Sequence, residues 1–255
     1  MLEFWALTSK GVEELLADEI RRYQGEVIKL GMGVVRFKAE LKDAYQLCLW
    51  SRLATRILRL EQSIEIDANS DLYQVAMRIN WPSLMRMEQS FAVECVGKHP
   101  TIDNTQFGGM RVKDAIVDQF RAIDGKRPSI DKDFPDLQIH VHIDRDTVTV
   151  SLDSSGASLH HRGYRTATNI APINEVLAAG MLILSGWEGK SHFVDPMCGS
   201  GTILAEAAMI ACNIPANINR KEFGFEKWKD WDAELFDNIL ESLLKKTREF
   251  HYTIK

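Results

Sequence analysis

The chain has 255 residues, 45% of them hydrophobic and 26% charged, with a formal net charge of −5: the composition of one large or two small soluble globular domains. No apolar stretch approaches the roughly 20 residues that span a bilayer, and the N-terminus MLEFWALTSKGVEELL lacks the basic and apolar regions of a signal peptide. Cys48, Cys95, Cys198 and Cys212 show neither CxxC spacing nor a His at ligand spacing, which argues against a zinc site or a disulfide framework and fits a reducing cytoplasm.

Ser9 is placed to cap a helix whose Val12, Leu15, Leu16 and Ile20 form one apolar stripe, with Gly25 just past its end. Short strands near 26–30 and 34–38 flank the turn Gly31–Met32–Gly33. Residues 41–54 read as a helix, 56–66 as a strand, and 71–80 as a short helix with Leu72, Val75, Ala76 and Ile79 inward. FAVECVG, 91–97, reads as a strand, and Met110, Ala115, Ile116, Phe120 and Ile123 mark a helix that ends at Gly125. Two alternating runs, with Ile139, Val141 and Ile143 and then Val148, Val150 and Leu152 on one face, are joined through Asp144–Arg145–Asp146 as a hairpin. This first part is an α+β region.

After about 160 the pattern changes. Residues 172–186 predict a strongly apolar helix with Val176, Leu177, Ala179, Met181, Leu182 and Leu184. Ser191–Asp195 predicts a short buried strand, Cys198–Thr202 a glycine-rich turn, and Thr202–Asn213 an Ala-rich helix. That order opens a doubly wound α/β sheet. Residues 213–230 read as an irregular insertion. An amphipathic helix over 232–250 with Leu235, Ile239, Leu243 and Leu244 buried precedes a strand starting at Tyr252–Thr253–Ile254.

The turn Cys198–Gly199–Ser200–Gly201–Thr202 has the form of a ligand loop, because two glycines let a ligand approach the backbone and the next helix offers unpaired N–H groups. A dinucleotide fingerprint needs Gly where Leu204 stands, and a triphosphate loop needs Gly-Lys-Ser/Thr, so both readings are weak. Asp195, at the carboxyl end of the expected strand, suits an ammonium or polar group, so a cofactor with an amino acid moiety fits better than a pyrophosphate. S-adenosylmethionine is such a ligand. Charge is distributed unevenly: residues 1–60 hold ten Lys and Arg against eight Asp and Glu, 61–160 ten against sixteen, and 161–255 eleven against twelve. A nucleic-acid contact therefore needs a local basic patch. Lys10, Arg21, Arg22 and the run His160–Arg165 are candidates.

DPMCGSGTILAEAA resembles the first motif of class I S-adenosylmethionine-dependent methyltransferases. More narrowly, it is similar to the THUMP-bearing group that modifies guanine in RNA, the large-subunit ribosomal RNA guanine-N2 methyltransferases and relatives often labelled adenine-specific DNA methylases. LHHRGYRTATNIAPINEVLAAGML resembles the motif that precedes it in that group, with Val176 where an Asn is often found. FAVECVGKHPTIDNTQFGGMRVKDAIVDQF resembles a THUMP core, and FWALTSKGVEELLADEI the ferredoxin-like element before it. The resemblance covers essentially the whole chain. It implies a ferredoxin-like element at 1–60, a THUMP RNA-binding domain at 61–158, and the N-terminal part of a Rossmann-like methyltransferase domain, truncated, at 159–255.

By this resemblance Pro172, Glu175, Asp195, Met197, Gly199, Ser200, Gly201 and Thr202 bind S-adenosylmethionine. Thr202 and Glu175 also have plain structural roles open to them, as a helix cap and as an acid at a helix start. Lys98, Arg111 and Lys113, around an expected Phe107–Gly108–Gly109 turn, are candidates for RNA phosphates, against the alternative of a solvated helix start. Arg162 and Arg165 have two roles open, phosphate contact or bridging between domains. The group's later Asn/Asp-Pro-Pro-aromatic loop, which holds the exocyclic amine and stacks on the flipped base, is absent from these 255 residues, as is the acidic residue for the ribose hydroxyls. No catalytic residue and no metal ligand is therefore assigned. The expectation is a cytoplasmic ribosomal-RNA guanine-N2 methyltransferase, with no membrane partner and inactive as this chain alone. A DNA adenine-N6 methylase and a non-catalytic RNA-binding protein with a vestigial cofactor fold are the alternatives.

Overall fold

The computed structural model describes residues 1–67, 71–99, 104–165 and 172–255. They form two compact units: Met1–Ile57 with Ala157–Phe223 and Asp232–Lys255, and Leu58–Gly156 with Gly224–Trp231.

The first unit opens with β1 (Leu2–Leu7), α1 (Glu13–Arg22), β2 (Glu26–Gly31), β3 (Val34–Ala39) and α2 (Leu41–Trp50). Strand β3 pairs antiparallel with both β1 and β2. Phe4 lies opposite Phe37 across the β1–β3 ladder, and their rings stack at 5.5 Å above buried Leu16 and Ile20 of α1. Sequence reading missed β1, because LEFWAL is apolar at all but one position, so the alternate burial of Phe4 and Ala6 does not show as an apolar–polar pattern. Ser9 does not cap α1. Gly11 adopts φ +94° there, the helix starts at Glu13, and the Glu13 carboxylate accepts from Gly11 N at 2.8 Å and Gly33 N at 2.7 Å. Those backbone donors hold the Glu13 carboxyl below its usual pKa.

The chain enters the second unit along β4 (Arg56–Glu65). There follow α3 (Leu72–Met77), α4 (Trp81–Leu84), β5 (Ser90–Lys98), α5 (Thr105–Asp124), β6 (Ser129–Ile130), β7 (Leu137–Asp144) and β8 (Thr147–Asp153). The sheet order is β4-β8-β7-β5-β6, with β4, β8 and β7 antiparallel and β7, β5 and β6 parallel. The expected hairpin is present, with Arg145 at φ +52° in its two-residue turn. Strand β7 alternates as predicted, whereas β8 is buried on both faces, Thr149 and Ser151 included. Within 213–230, expected to be irregular, Gly224–Lys227 make a short 3-10 turn, and Phe225 and Trp228 enter this unit's core. Phe225 N donates to Ser154 O at 3.2 Å, and the Arg59 guanidinium lies 4.0 Å over the Trp228 ring.

Helix α5 begins five residues earlier than its predicted turn allows. Asn104 caps it by accepting from Gln106 N and Phe107 N, so Phe107–Gly108–Gly109 is helical. Gly108 and Gly109 are buried, and a Cβ on Gly109 would lie 3.7 Å from Cys95 Cβ of β5. Gly125 ends the helix in the left-handed conformation, as its position predicts.

The chain then returns to the first unit with α6 (Glu175–Leu184), α7 (Thr202–Ala211) and α8 (Ala233–Leu244). Asn174, not Pro172, opens α6 by accepting from Val176 N and Leu177 N. Of the predicted apolar face, Val176, Ala179 and Leu182 are buried, while Leu177, Met181 and Leu184 are exposed. Leu243 alone of the four expected positions on α8 is buried. Ser191–Asp195 is not the buried strand expected: Phe193 makes a single parallel bridge to Ile254, and Val194 is 58% exposed. The physical reason is that, among the described residues, only the 253–255 segment pairs with this stretch, on one side.

Gly97 in β5 has φ +109°, and a Cβ there would lie 1.9 Å from the Ile143 carbonyl oxygen of β7. Neither backbone can give way without breaking the ladder. Gly97→Ala is therefore expected to destabilise the second unit by about 3 kcal/mol or more, read as a lowered urea midpoint at unchanged slope.

Candidate functional site

The ligand loop lies between the Phe193 bridge and α7. Asp195 N donates to Lys255 O at 2.8 Å, so its side chain sits at the carboxyl end of the parallel pair, where a doubly wound sheet places its ligand. Asp195 Oδ1 accepts from Met197 N at 3.1 Å, which folds the chain into the loop. Gly201 N closes a turn onto Cys198 O at 2.8 Å. Gly199 and Gly201 have φ of +55° and +75°, and a Cβ on either would meet nothing within 4 Å among the described residues. The backbone thus faces open space on the side a ligand would occupy, and only glycine leaves that space free without strain. Gly201 is the N-cap of α7 and no side chain caps the helix, so its first amides keep their donors for another group. Met197 is 90% exposed and Ser200 is exposed beside it. Pro172 is exposed, one turn of chain before α6, and Thr166–Ala171 of the same motif lie outside the described residues.

Glu175 and Thr202 are both buried and both meet Arg165. Arg165 Nε donates to Glu175 Oε1 at 2.5 Å, and its Nη2 donates to Thr202 Oγ1 at 2.8 Å and to Ile173 O at 3.0 Å. Of the eight residues expected at the cofactor, the structure gathers Glu175, Ser200 and Thr202 around this one guanidinium. Asp195, Met197, Gly199 and Gly201 follow along the loop.

The expected phosphate contact of Arg162 does not hold. Its side chain is fully buried, and its donors are spent on Leu159 O at 2.9 Å, Ser51 O at 3.2 Å, Arg52 O at 2.5 Å, Asn217 Oδ1 at 3.3 Å and Glu206 Oε1 at 3.4 Å. It ties the end of α2 to α7 within the first unit. Around it, Glu19 accepts from Ser51 Oγ and Arg52 N, and Arg52 donates to Met209 O and Ile214 O. Burial pushes the Glu206 and Glu19 carboxyls up from their usual pKa, and the guanidinium neighbours oppose that shift. Sequence reasoning missed this network because Glu19, Ser51, Arg52 and Glu206 fall on four separated segments. The one sequence signal was Glu206 inside an otherwise apolar AEAAMIA helix.

In the second unit, Lys113 lies between two adjoining grooves of 610 and 500 Å³ that share Phe107 and Met110. Arg111, Arg121 and Arg127 line the first, with Asp114 and Asp118, and Lys132 lines the second, which holds no acid. The local balance is positive on a face where Phe107 and Met110 are exposed. Arg111 is partly committed: it pairs with Asp71 and lies 4.9 Å over the Tyr73 ring. Lys98, exposed at the end of β5, lines neither groove.

Three family models tile the chain: an RlmL ferredoxin-like domain over 3–58, a THUMP domain over 69–153 and an RMKL-like methyltransferase domain over 162–252. The chain carries these three modules, in this order. It is 43% identical over 244 residues to a Pseudoalteromonas atlantica protein named ribosomal RNA large subunit methyltransferase K/L, matching 94% of this chain and 35% of that one. The chain thus spans about a third of the length of the curated relatives it matches. A crystal structure of a "possible methylase" from Clostridium difficile 630 superposes with a TM-score of 0.86 at 33% identity, covering 96% of this chain and 65% of that one. SMU.472, described as "a putative methyltransferase complexed with SAH", gives 0.85 at 29% over 96% and 65%. The ferredoxin-like and THUMP modules are therefore followed by a Rossmann-like methyltransferase fold.

Removing one partner of a buried ion pair strands the other, at about 3–5 kcal/mol. Arg162→Ala is expected to destabilise the first unit by that amount in urea unfolding, while Lys98→Ala changes it by less than about 0.5 kcal/mol. A second expectation concerns pH. The Arg111 guanidinium beside Asp71 holds its carboxyl below the usual value of 3.8. A depressed carboxyl stabilises fully above that value and loses the contribution as pH falls through its lower folded-state pKa. The pair is part-exposed, so solvent screening keeps it to about 1 kcal/mol or less. Wild type and Asp71→Asn should differ in urea midpoint at neutral pH and converge as pH falls below the lowered folded-state pKa of Asp71.

Proposed function

We propose that this chain serves S-adenosylmethionine-dependent methylation of the exocyclic N2 of a guanine in large-subunit ribosomal RNA, in the cytoplasm. The observation that carries the cofactor part is the open glycine cradle at Gly199 and Gly201, set between Asp195 and the uncapped N-terminus of α7. Asp195 suits the ammonium of the methionine moiety, and the α7 amides suit its carboxylate. When bound, S-adenosylmethionine supplies a methyl group on a sulfonium, and methylation of the guanine amine releases one proton. The RNA part is supported by the THUMP module, by the positive grooves around Lys113, and by the printed names of the ribosomal RNA methyltransferases that match. Lys113, Arg111 and Lys98 would meet phosphates, and exposed Phe107 would meet a base or sugar face. No Asn/Asp-Pro-Pro-aromatic sequence occurs in these 255 residues, so the groups that present the amine are absent from it and the chain alone does not turn over.

Titration calorimetry of the chain with SAH should show binding, with Asp195→Ala weakening it about tenfold or more. A methyl-transfer assay on ribosomal RNA with the chain alone should show no product. Mapping of ribosomal RNA from cells with and without the gene should show the loss of one N2-methylguanine. Loss of N6-methyladenine from DNA instead would favour the adenine methylase reading.

A further inference from the structure

Arg165 stands in the segment where sequence alone left phosphate contact open, yet three of its contacts lie at the ligand loop or the helices that flank it. Nε donates to Glu175 Oε1 at 2.5 Å in the first turn of α6, and Nη2 donates to Thr202 Oγ1 at 2.8 Å in the first turn of α7. Nη2 also reaches Ile173 O at 3.0 Å, and Nη1 lies 3.4 Å from Ser200 Oγ in the loop itself. Ser200 and Thr202 are joined at 3.3 Å, so one guanidinium holds both hydroxyls and the start of both helices. Only 19% of the Arg165 side chain is exposed.

Among the described residues, the Asp195 N to Lys255 O bond holds the start of the loop, and few other bonds place the rest of it. Gly199 and Gly201 carry no side chain and touch nothing where a Cβ would be, and Cys198, Gly199 and Ser200 are exposed. Its local bonds, Gly201 N to Cys198 O and Met197 N to Asp195 Oδ1, fix its shape but not its position against α6. The neighbouring Tyr164 hydroxyl donates to Glu206 Oε1 at 3.2 Å. Thr202 and Glu206 are four apart and lie on one side of α7, so the segment Arg162–Arg165 runs along that side as a strap.

We infer that Arg165 is a positioning residue: it fixes the cofactor loop through Thr202, Ser200 and Glu175, and it does not contact RNA. Glu175 acts as the counter-charge that orients Arg165, its Oε1 accepting from Nε. The ligand's identity rests on the cofactor reading above; the loop's placement does not. An ammonium cannot span three partners with the planar fork that Arg provides, so Lys is expected to fall short even though it keeps the charge.

The test is hydrogen exchange of the 198–203 amides in the ligand-free full chain, for wild type, Arg165→Ala and Arg165→Lys, together with SAH titration and binding of a ribosomal RNA fragment. Both variants should exchange faster at 198–203 with α5 unchanged, bind SAH about tenfold or more weakly, and bind RNA as wild type. Glu175→Gln, which keeps an acceptor but removes the counter-charge that orients Arg165, should also speed exchange at 198–203, by less than Arg165→Ala does. Unchanged exchange in both variants overturns the inference, as does loss of RNA binding with SAH affinity intact. If Arg165→Ala fails to fold, Arg165→Lys decides. If wild type binds no SAH, the cofactor reading fails, and the exchange data alone still decide the role of Arg165.

Discussion

The first unit depends on one buried charge, the guanidinium of Arg162. Taking it out of water costs several kcal/mol, and that cost is offset only because its donors find three backbone carbonyls, the Asn217 amide and the Glu206 carboxylate. Two of those carbonyls, from Ser51 and Arg52, belong to the chain just past α2, and Glu206 belongs to α7. Residues about 150 positions apart are thereby held together with little tolerance for sliding. Asn217 adds a second tie, donating to Cys48 O at 2.8 Å, and Arg52 a third, donating to Ile214 O at 2.6 Å. A merely apolar contact would let α7 shift along α2 by a fraction of a turn; directional bonds at buried sites do not. The helix that carries the ligand loop is thus referenced to the end of α2 in the same unit.

The second unit meets a different constraint. It is the most acidic part of the chain by sequence, yet the grooves along α5 collect Lys113, Arg121, Arg127 and Lys132. Acidic side chains of this unit are placed elsewhere or neutralised: Asp71 is paired with Arg111, and Asp136 accepts from the Ser90 amide. Net charge over a hundred residues therefore says little about a face, because screening at physiological salt limits each charge to about 8 Å. Helix α5 packs closely on β5 at Gly109, where a Cβ would lie 3.7 Å from Cys95 Cβ and from Val93 O.

Much of this architecture was legible in the sequence where a periodicity or a terminating residue carried it. The β7–β8 hairpin, α5 with its Gly125 end, and α7 after its glycines follow directly from local pattern. What failed did so for identifiable reasons. Ser9 is a good capping residue whose place was lost to a turn at Gly11, while Asn104 caps a helix whose apolar stripe begins several residues later and Asn174 caps one where Pro172 was expected to open it. Leu177, Met181 and Leu184 read as core because hydrophobicity marks a face as apolar but not what covers it. Gly224–Trp231 lies in sequence between helices of one unit and packs in the other, which no local signal announces. The site divides in the same way. The glycines and Asp195 were legible because their roles are backbone and local, whereas the roles of Arg162 and Arg165 are set by partners on distant segments.

A ligand loop must satisfy opposed demands, since side chains that would anchor it would also fill the space a ligand needs. Here the glycines leave the front of the loop bare, and the anchoring is moved behind it, to Thr202 and Ser200 held by Arg165 and to Glu206 held by Tyr164 and Arg162. That division explains why two arginines sit in a four-residue segment with a glycine between them. Gly163 adopts φ +86°, and a Cβ there would lie 2.5 Å from Asn219 O, so only glycine lets Arg162 turn inward toward α2 while Tyr164 and Arg165 continue along α7. Substituting that glycine would displace both arginines at once, and a pre-organised loop would become one that must be ordered by its ligand, at the expense of affinity.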